Sequence, residues 1–119
     1  RLRGSRNLGA RHNMAKVLKY LDEHYADPEL SLPGVAAVFG MSDTYLSRTL
    51  KEEMNENFAK YLIRVRLAHA RTLLETTELT TTEIAERVGF SDYPHFSKTY
   101  KKHYGLTPTE NRKMFRLRQ

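Results

Sequence analysis

The chain has 119 residues, 39% hydrophobic and 29% charged, so it can bury one core or two small ones and is not a disordered tail. It has no cysteine, which excludes a disulfide framework, a thiol nucleophile and any cysteine-ligated zinc. The net charge of +6 (pI ≈ 9.7) points to an anionic partner, and no run approaches the roughly 18 apolar residues of a membrane span.

Residues 1–12 hold Arg1, Arg3, Arg6 and Arg11 among Gly4, Ser5, Asn7 and Gly9, with no apolar period. They read as a linker or cloning remnant. A chain that opens on Arg1 rather than Met is expected to be a fragment of something longer, and with no signal segment a cytoplasmic location is expected. A helical period starts near Asn13, with Met14, Val17, Leu18, Leu21 and Tyr25 on one stripe. Asp27-Pro28 ends it, because the residue before proline avoids the α region. Ser31 then suits the N-cap of a short helix with Leu32, Val35, Ala36 and Phe39 inward, and Gly40 stops that helix. Ser42 caps the next helix, in which Tyr45, Leu46, Thr49 and Leu50 recur, and Asn55 suits a left-handed residue after it.

Asn57 is placed to cap a long helix through about Thr76. Phe58, Tyr61, Leu62, Val65, Ala68 and Thr72 form one stripe on it, and Ile63, Leu67, Ala70 and Leu74 form another. A helix apolar on two faces packs between two things at once. Thr80 or Thr81 opens a short helix (Ile84, Ala85, Val88) that Gly89 stops. Ser91-Asp92 caps a further helix with Phe96 and Tyr100 inward, ended by Gly105, and Thr107-Pro108 starts a last one. No strand pattern of useful length occurs. The reading is all-α, with a first subdomain over 13–56, a connecting helix over 57–77, a second subdomain over 78–115 and a basic tail over 116–119.

Charge is uneven along these elements. Residues 1–19 carry six bases and no acid, and residues 109–119 net +3, which leaves −3 for the middle. Solvated basic tails would give the same totals, so charge alone does not identify the partner.

An internal repeat does more. Leu30–Asp43 lies over Leu79–Asp92 with identical Leu, Ala, Gly, Ser and Asp, and with Ser31/Thr80 and Val35/Ile84 as near-equivalents. After a one-residue slip, Tyr45–Lys51 lies over His95–Lys101. Each copy reads short helix, internal Ala, Gly-apolar-Ser turn, longer helix, which is the grammar of a helix-turn-helix. The Ala lets two helices cross closely, and the Gly permits the tight turn.

These residues resemble the DNA-binding domain of the AraC/XylS family of bacterial transcription regulators. The resemblance covers about residues 13–115 and is most specific over Ile84–Asp92, Phe96-Ser97-Lys98, Tyr100–Lys102 and Gly105–Pro108. Leu46-Ser47-Arg48, Lys51, Tyr61-Leu62, Arg66, Ala70-Arg71 and Leu73-Leu74 add to it. It implies seven helices, in which two helix-turn-helix subdomains are held in register by the long middle helix. The chain departs from the family at Asn55, where Gly is common, and at Pro94 in the second recognition helix. It also departs at Thr44 and Ser47, which are smaller than their counterparts in some members. The resemblance further implies an RNA polymerase contact in a full-length protein, and a homodimer formed through a sensing domain lying elsewhere.

A recognition helix sets its N-terminal side chains against base edges while nearby cations grip phosphates. The base-contact candidates are Thr44, Tyr45, Ser47 and Arg48 in the first copy and Tyr93, His95, Ser97 and Lys98 in the second. Arg48 suits guanine O6/N7, with a phosphate contact or surface ion pair as the other reading. Lys98 takes the place of Arg48. His95 suits a base, a phosphate or plain solvent, and Tyr93 either packs on a thymine methyl or shields the helix start. Phosphate-contact candidates are Ser42, Lys51, Lys60, Arg64, Ser91, Lys101 and Lys102, with Ser42 and Ser91 primarily caps. Arg66 is assigned to structure.

No catalytic residue, metal ligand or cofactor is assigned. The five histidines form no i, i+4 pair, Glu52-Glu53 and Asp22-Glu23 point to different helix faces, and no phosphate-cradling glycine loop is present. The expected partner is double-stranded DNA, with no membrane. The alternative is a helical protein-interaction module whose repeat serves packing only.

Overall fold

A computed structural model of the chain describes residues 13–119 in full; residue 1 is not described, and of residues 2–12 only the backbone is. Of the linker or cloning remnant expected over 1–12, residue 1 and the side chains of 2–12 lie outside the described residues, and the backbone of 2–12 runs within the first helix, Leu2–His24. Among the described residues there are seven helices and no strand: α1 (Leu2–His24), α2 (Leu32–Val38), α3 (Asp43–Met54), α4 (Phe58–Thr76), α5 (Thr81–Arg87), α6 (Tyr93–Tyr104) and α7 (Pro108–Leu117). The all-α, seven-helix expectation is borne out.

Local chemistry sets the element ends. The Ser31 hydroxyl accepts the Gly34 N–H at 3.2 Å, the Ser42 hydroxyl that of Tyr45 at 3.1 Å, and the Asn57 side-chain carbonyl that of Lys60 at 2.8 Å. Each satisfies an N–H that the first turn leaves without a partner. Thr80 with Glu83, and Thr107 with Glu110, close reciprocal capping boxes. Asn55 (φ 57°) and Gly105 (φ 83°) end α3 and α6 in left-handed conformation. They stand 50 residues apart, so the repeat preserves the stop with a different residue.

The cap expected at Ser91 is corrected. The N-cap of α6 is Asp92, which makes no side-chain cap bond, and Ser91 is exposed one residue earlier. The cause is the slip in the repeat. The short helices and turns repeat at 49 residues (Leu32/Thr81, Gly40/Gly89), whereas the longer helices repeat at 50 (Asp43/Tyr93). The extra residue moves Ser91 out of the capping position.

The residues form two compact units. Unit 1 holds Arg1–His24 and Glu29–Ile63, and unit 2 holds Tyr25–Pro28 and Arg64–Gln119. In unit 1, Met14, Val17 and Leu21 from α1, Val35 and Ala36 from α2, Leu46 and Leu50 from α3, and Phe58 and Leu62 from α4 are buried. Each Leu of this set contributes about 1.5–3 kcal/mol by leaving water. In unit 2 the buried set is Leu67, Ala70 and Leu74 from α4, Ile84 and Ala85 from α5, the turn residues Val88 and Phe90, and Phe96 and Tyr100 from α6. Ala68 and Thr72, expected on an apolar stripe of α4, are exposed. The first two turns of α4 serve unit 1, and the rest buries the 67/70/74 stripe in unit 2.

Unit 2 also holds a polar network that ties its last helix down. The buried Tyr100 hydroxyl donates to Asn111 Oδ1 at 2.8 Å, and Asn111 Nδ2 donates to Glu75 at 3.1 Å. Burial pushes the Tyr100 phenol well above its ordinary value, which keeps it protonated as the donor. Arg112 Nε and Nη2 donate to the carbonyls of Leu74 and Thr77 at 3.0 and 3.1 Å, where the end of α4 leaves carbonyls unpaired.

Candidate nucleic-acid interface

Helix α3 buries Leu46, Thr49 and Leu50, so its opposite side carries the candidates. Thr44 and Arg48 are exposed and Ser47 is half-buried. These three and Lys51 line one shallow groove together with Leu32 and Asp43. Spacing explains the convergence, because residues 44, 47, 48 and 51 recur at i, i+3, i+4 and i+7. A row of hydroxyl, hydroxyl, guanidinium and ammonium offers donors for base edges and cations for phosphates.

Tyr45 does not join that groove. It is 41% exposed and lines a different recess, with Ser42, the α2–α3 turn, and Asn13 and Lys16 of α1. Ser42 holds its cap bond at the edge of this recess. The sequence reading missed Leu32 and Asp43 beside Arg48, although both lie within the repeat, and Asn13 and Lys16 beside Tyr45, which lie on α1 outside it.

Helix α6 repeats the arrangement 50 residues on. Phe96 and Tyr100 are fully buried, Lys98, Lys101 and Lys102 are exposed, and Ser97 is half-buried. Pro94 stands where Thr44 stands, so this stripe lacks the first hydroxyl. His95 takes the place of Tyr45 and is exposed, with its ring edge-on to Phe90 at 5.4 Å between centroids. Tyr93 is half-buried with its ring 6.0 Å from that of Phe96, a placement that fits shielding of the helix start. Ser91 precedes the N-cap and is exposed.

On α4, Lys60 and Arg64 are exposed, and they fall in different units. Neither lines the groove beside Arg48. Arg66 takes the structural place expected of it: its Nε and Nη2 donate to the main-chain carbonyls of Tyr25 and Asp27, each at 2.8 Å. Burial lowers its pKa from the ordinary value, and the charge of Asp27 works the other way.

A family model described as a helix-turn-helix domain matches residues 35–114, which take in both turns of the repeat. Among curated relatives, the HTH-type transcriptional activator RhaS of Escherichia coli is 38% identical over 89% of this chain. The chain spans 28–38% of the length of the curated relatives it matches. A transcriptional regulator from Chromobacterium violaceum, described as an AraC-type DNA-binding domain-containing protein, superposes with a TM-score of 0.81 at 31% identity, covering 91% of this chain and 96% of the other. The DNA-binding domain of AdpA, solved in complex with a target DNA, superposes with a TM-score of 0.84 at 26% identity, covering 88% and 94%. Two helix-turn-helix copies of matching sequence and fold decide the classification: the chain belongs to the AraC/XylS family of helix-turn-helix domains.

Proposed function

We propose that the chain binds double-stranded DNA with sequence specificity through α3 and α6, as the DNA-binding part of a bacterial transcription regulator. The observation that carries this reading is the repeated stripe. Thr44, Ser47, Arg48 and Lys51 recur as Pro94, Ser97, Lys98 and Lys101, each row on the side of its helix away from the buried residues. Packing alone has no use for two rows that each set a serine hydroxyl and two cations away from the buried side. The complex of the AdpA domain with DNA supports the same use of this fold.

In this reading Arg48 and Lys98 reach base edges, flanked by Thr44, Ser47 and Ser97. Lys51, Lys101 and Lys102 grip phosphates, with Ser42, Ser91, Lys60 and Arg64 in lesser backbone roles. Tyr45, His95 and Tyr93 border the contact surface. The chain acts by binding and not by catalysis, as its regulator relatives do, and it works in the cytoplasm, where bacterial DNA lies. We assign contact with RNA polymerase, and a homodimer, to a full-length regulator that carries this domain.

Two recognition helices that enter successive major grooves on one face of a duplex require half-motifs about 10 base pairs apart. Selection of bound duplexes from a random pool, followed by sequencing, tests the reading. Two short enriched motifs at that spacing are expected. Enrichment of one motif would reduce the second helix to backbone contacts, and no enrichment together with salt-insensitive binding would replace this reading with the protein-interaction module.

A further inference from the structure

The two recognition helices begin in different ways. The Ser42 hydroxyl fixes the start of α3 by accepting the Tyr45 N–H, whereas Asp92 at the start of α6 makes no side-chain cap bond. The turns before them share one backbone bond, from the Met41 N–H to the Ala36 carbonyl and from the Phe90 N–H to the Ala85 carbonyl, each 2.9 Å. What differs is the packing around the turn. Gly40 is exposed, Met41 is half-buried, and a Cβ on Gly40 would meet nothing within 4 Å. In unit 2 Val88, Gly89 and Phe90 are all buried. A Cβ on Gly89 would lie 2.7 Å from Arg66 Nε and 2.8 Å from the Tyr25 carbonyl oxygen.

The cover over that turn is a strap, Tyr25–Pro28, which belongs to unit 2. Arg66 joins strap and turn. Its Nε donates to the Tyr25 carbonyl and its Nη2 to the Asp27 carbonyl, each at 2.8 Å, and the same Nε faces the space where a Gly89 side chain would stand. One turn along α4, His69 stacks on the Tyr25 ring at 3.9 Å between centroids. A planar guanidinium holds two acceptors in fixed geometry, which a lysine ammonium does not.

From the turn the packing continues into α6. The Phe90 ring is edge-on to Phe96 at 5.2 Å and to His95 at 5.4 Å. Phe96 is a fully buried anchor of α6, and Ser97 and Lys98 follow it directly, on the row assigned to bases. A shift of Phe90 therefore displaces the first turn of α6, and no side-chain cap bond resists it. Close-packed interiors transmit such displacements.

We propose that Arg66 is a positioning residue for DNA recognition. By clamping the Tyr25–Pro28 strap behind the Gly89 turn it sets the seat of α6, and so the half-motif read there, without touching DNA. The inference rests on the reading of α3 and α6 as recognition helices. Helix α3, seated by its own serine, is the internal control.

The test is selection from a random duplex pool with the wild type, Arg66→Gln, Arg66→Lys and Tyr25→Ala, each at a temperature where circular dichroism shows it folded. Lys98→Ala identifies the half-motif that belongs to α6. Arg66→Gln is expected to lower base discrimination there by about 2- to 30-fold, the range for residues that touch neither partner, and to leave the other half-motif as in the wild type. Arg66→Lys keeps the charge but not the paired donors, and should lose discrimination in the same half-motif. Tyr25→Ala removes the ring and keeps the carbonyls, so it should act in the same direction and carries the test if Arg66→Gln does not fold. The salt slopes of all three should match the wild type. Folded variants with both half-motifs intact would reduce Arg66 to a stability role and overturn the proposal. So would equal loss in both half-motifs, or a slope flatter by about 0.9, which would place Arg66 on a phosphate. A wild type that enriches fewer than two motifs, or a Lys98→Ala that flattens neither, would instead remove the base-reading role of α6, and this inference with it.

Discussion

Gly40 and Gly89 occupy the same place in the two turns, at φ +64° and +102°, yet an added methyl group would meet different surroundings. At Gly40 the cost is conformational only, about 1–2 kcal/mol for a left-handed L-residue. At Gly89 the same strain is joined by contacts under 3 Å with a backbone carbonyl oxygen and with a guanidinium that is itself hydrogen-bonded. Gly89→Ala should therefore cost about 2–5 kcal/mol, the left-handed strain added to the cost of an overpacked site. Gly40→Asn should be nearly silent, since Asn55 already adopts that conformation here. Thermal melts of the two variants check this, and equal losses would contradict it. The recognition residues give a second prediction at this scale. Arg48→Ala should relax base preference in one half-motif and Lys98→Ala in the other, each by about 1–3 kcal/mol of discrimination. Selection repeated with each variant reads the outcome, and unchanged preference at every base in both would refute the assignment.

The short helices α5 and α7 are held at their starts by capping boxes, and this makes part of their stability depend on pH. Hydrogen bonds from the Thr80 backbone and hydroxyl hold the Glu83 carboxyl below the ordinary glutamate range, and Thr107 does the same for Glu110. A carboxyl depressed by folding stabilises above its unfolded pKa, near 4.3, and that contribution is lost as pH falls through this value and the lower folded one. Thr80→Ala should cost about 1 kcal/mol near neutrality. The difference between wild type and variant should shrink between about pH 5 and 3. Melting curves across that range test it, and a constant difference would mean that the carboxylate plays no part.

The caps also show what a sequence discloses about elements. Ser31, Ser42, Asn57, Thr80 and Thr107 were legible because a cap is settled within four residues. Ser91 was not, because the residue inserted before α6 displaces it from the cap while leaving the repeat visible in the letters. Thr44, Ser47, Arg48 and Lys51 were legible from the repeat, but Tyr45 was grouped with them and lines a different recess. The exposure of Ala68 and Thr72 was not legible, because which side of α4 is covered depends on partners far along the chain. Asn111 gave no signal at all; a lone asparagine in an amphipathic helix reads as surface until Tyr100 and Glu75 are seen to close on it.

For the molecule as a whole, the +6 charge matters less than its placement. The interior of the sequence nets negative, so attraction to DNA depends on particular cations and not on a uniform field. Each phosphate contact contributes about −0.9 to the slope of log affinity against log salt. Lys51→Ala and Lys101→Ala should each flatten that slope by roughly one contact while leaving the order of preferred sequences intact. Binding isotherms at several salt concentrations measure it, and a changed sequence order would move these lysines to the base-reading set. A slope near zero for the wild type would speak against DNA altogether.

The segment Tyr25–Pro28 has a consequence for how the molecule is made. It lies in unit 2, though it sits in the sequence between α1 and α2 of unit 1. On the ribosome it emerges some 40 residues before Arg66, the group that receives its carbonyls. Unit 2 therefore cannot be cut out as one continuous piece of chain. A fragment that begins within α4 would leave the turn at Gly89 uncovered and the Arg66 guanidinium without its two acceptors. The repeat looks like two separable modules when read as letters, but the second half owes part of its packing to a stretch translated with the first.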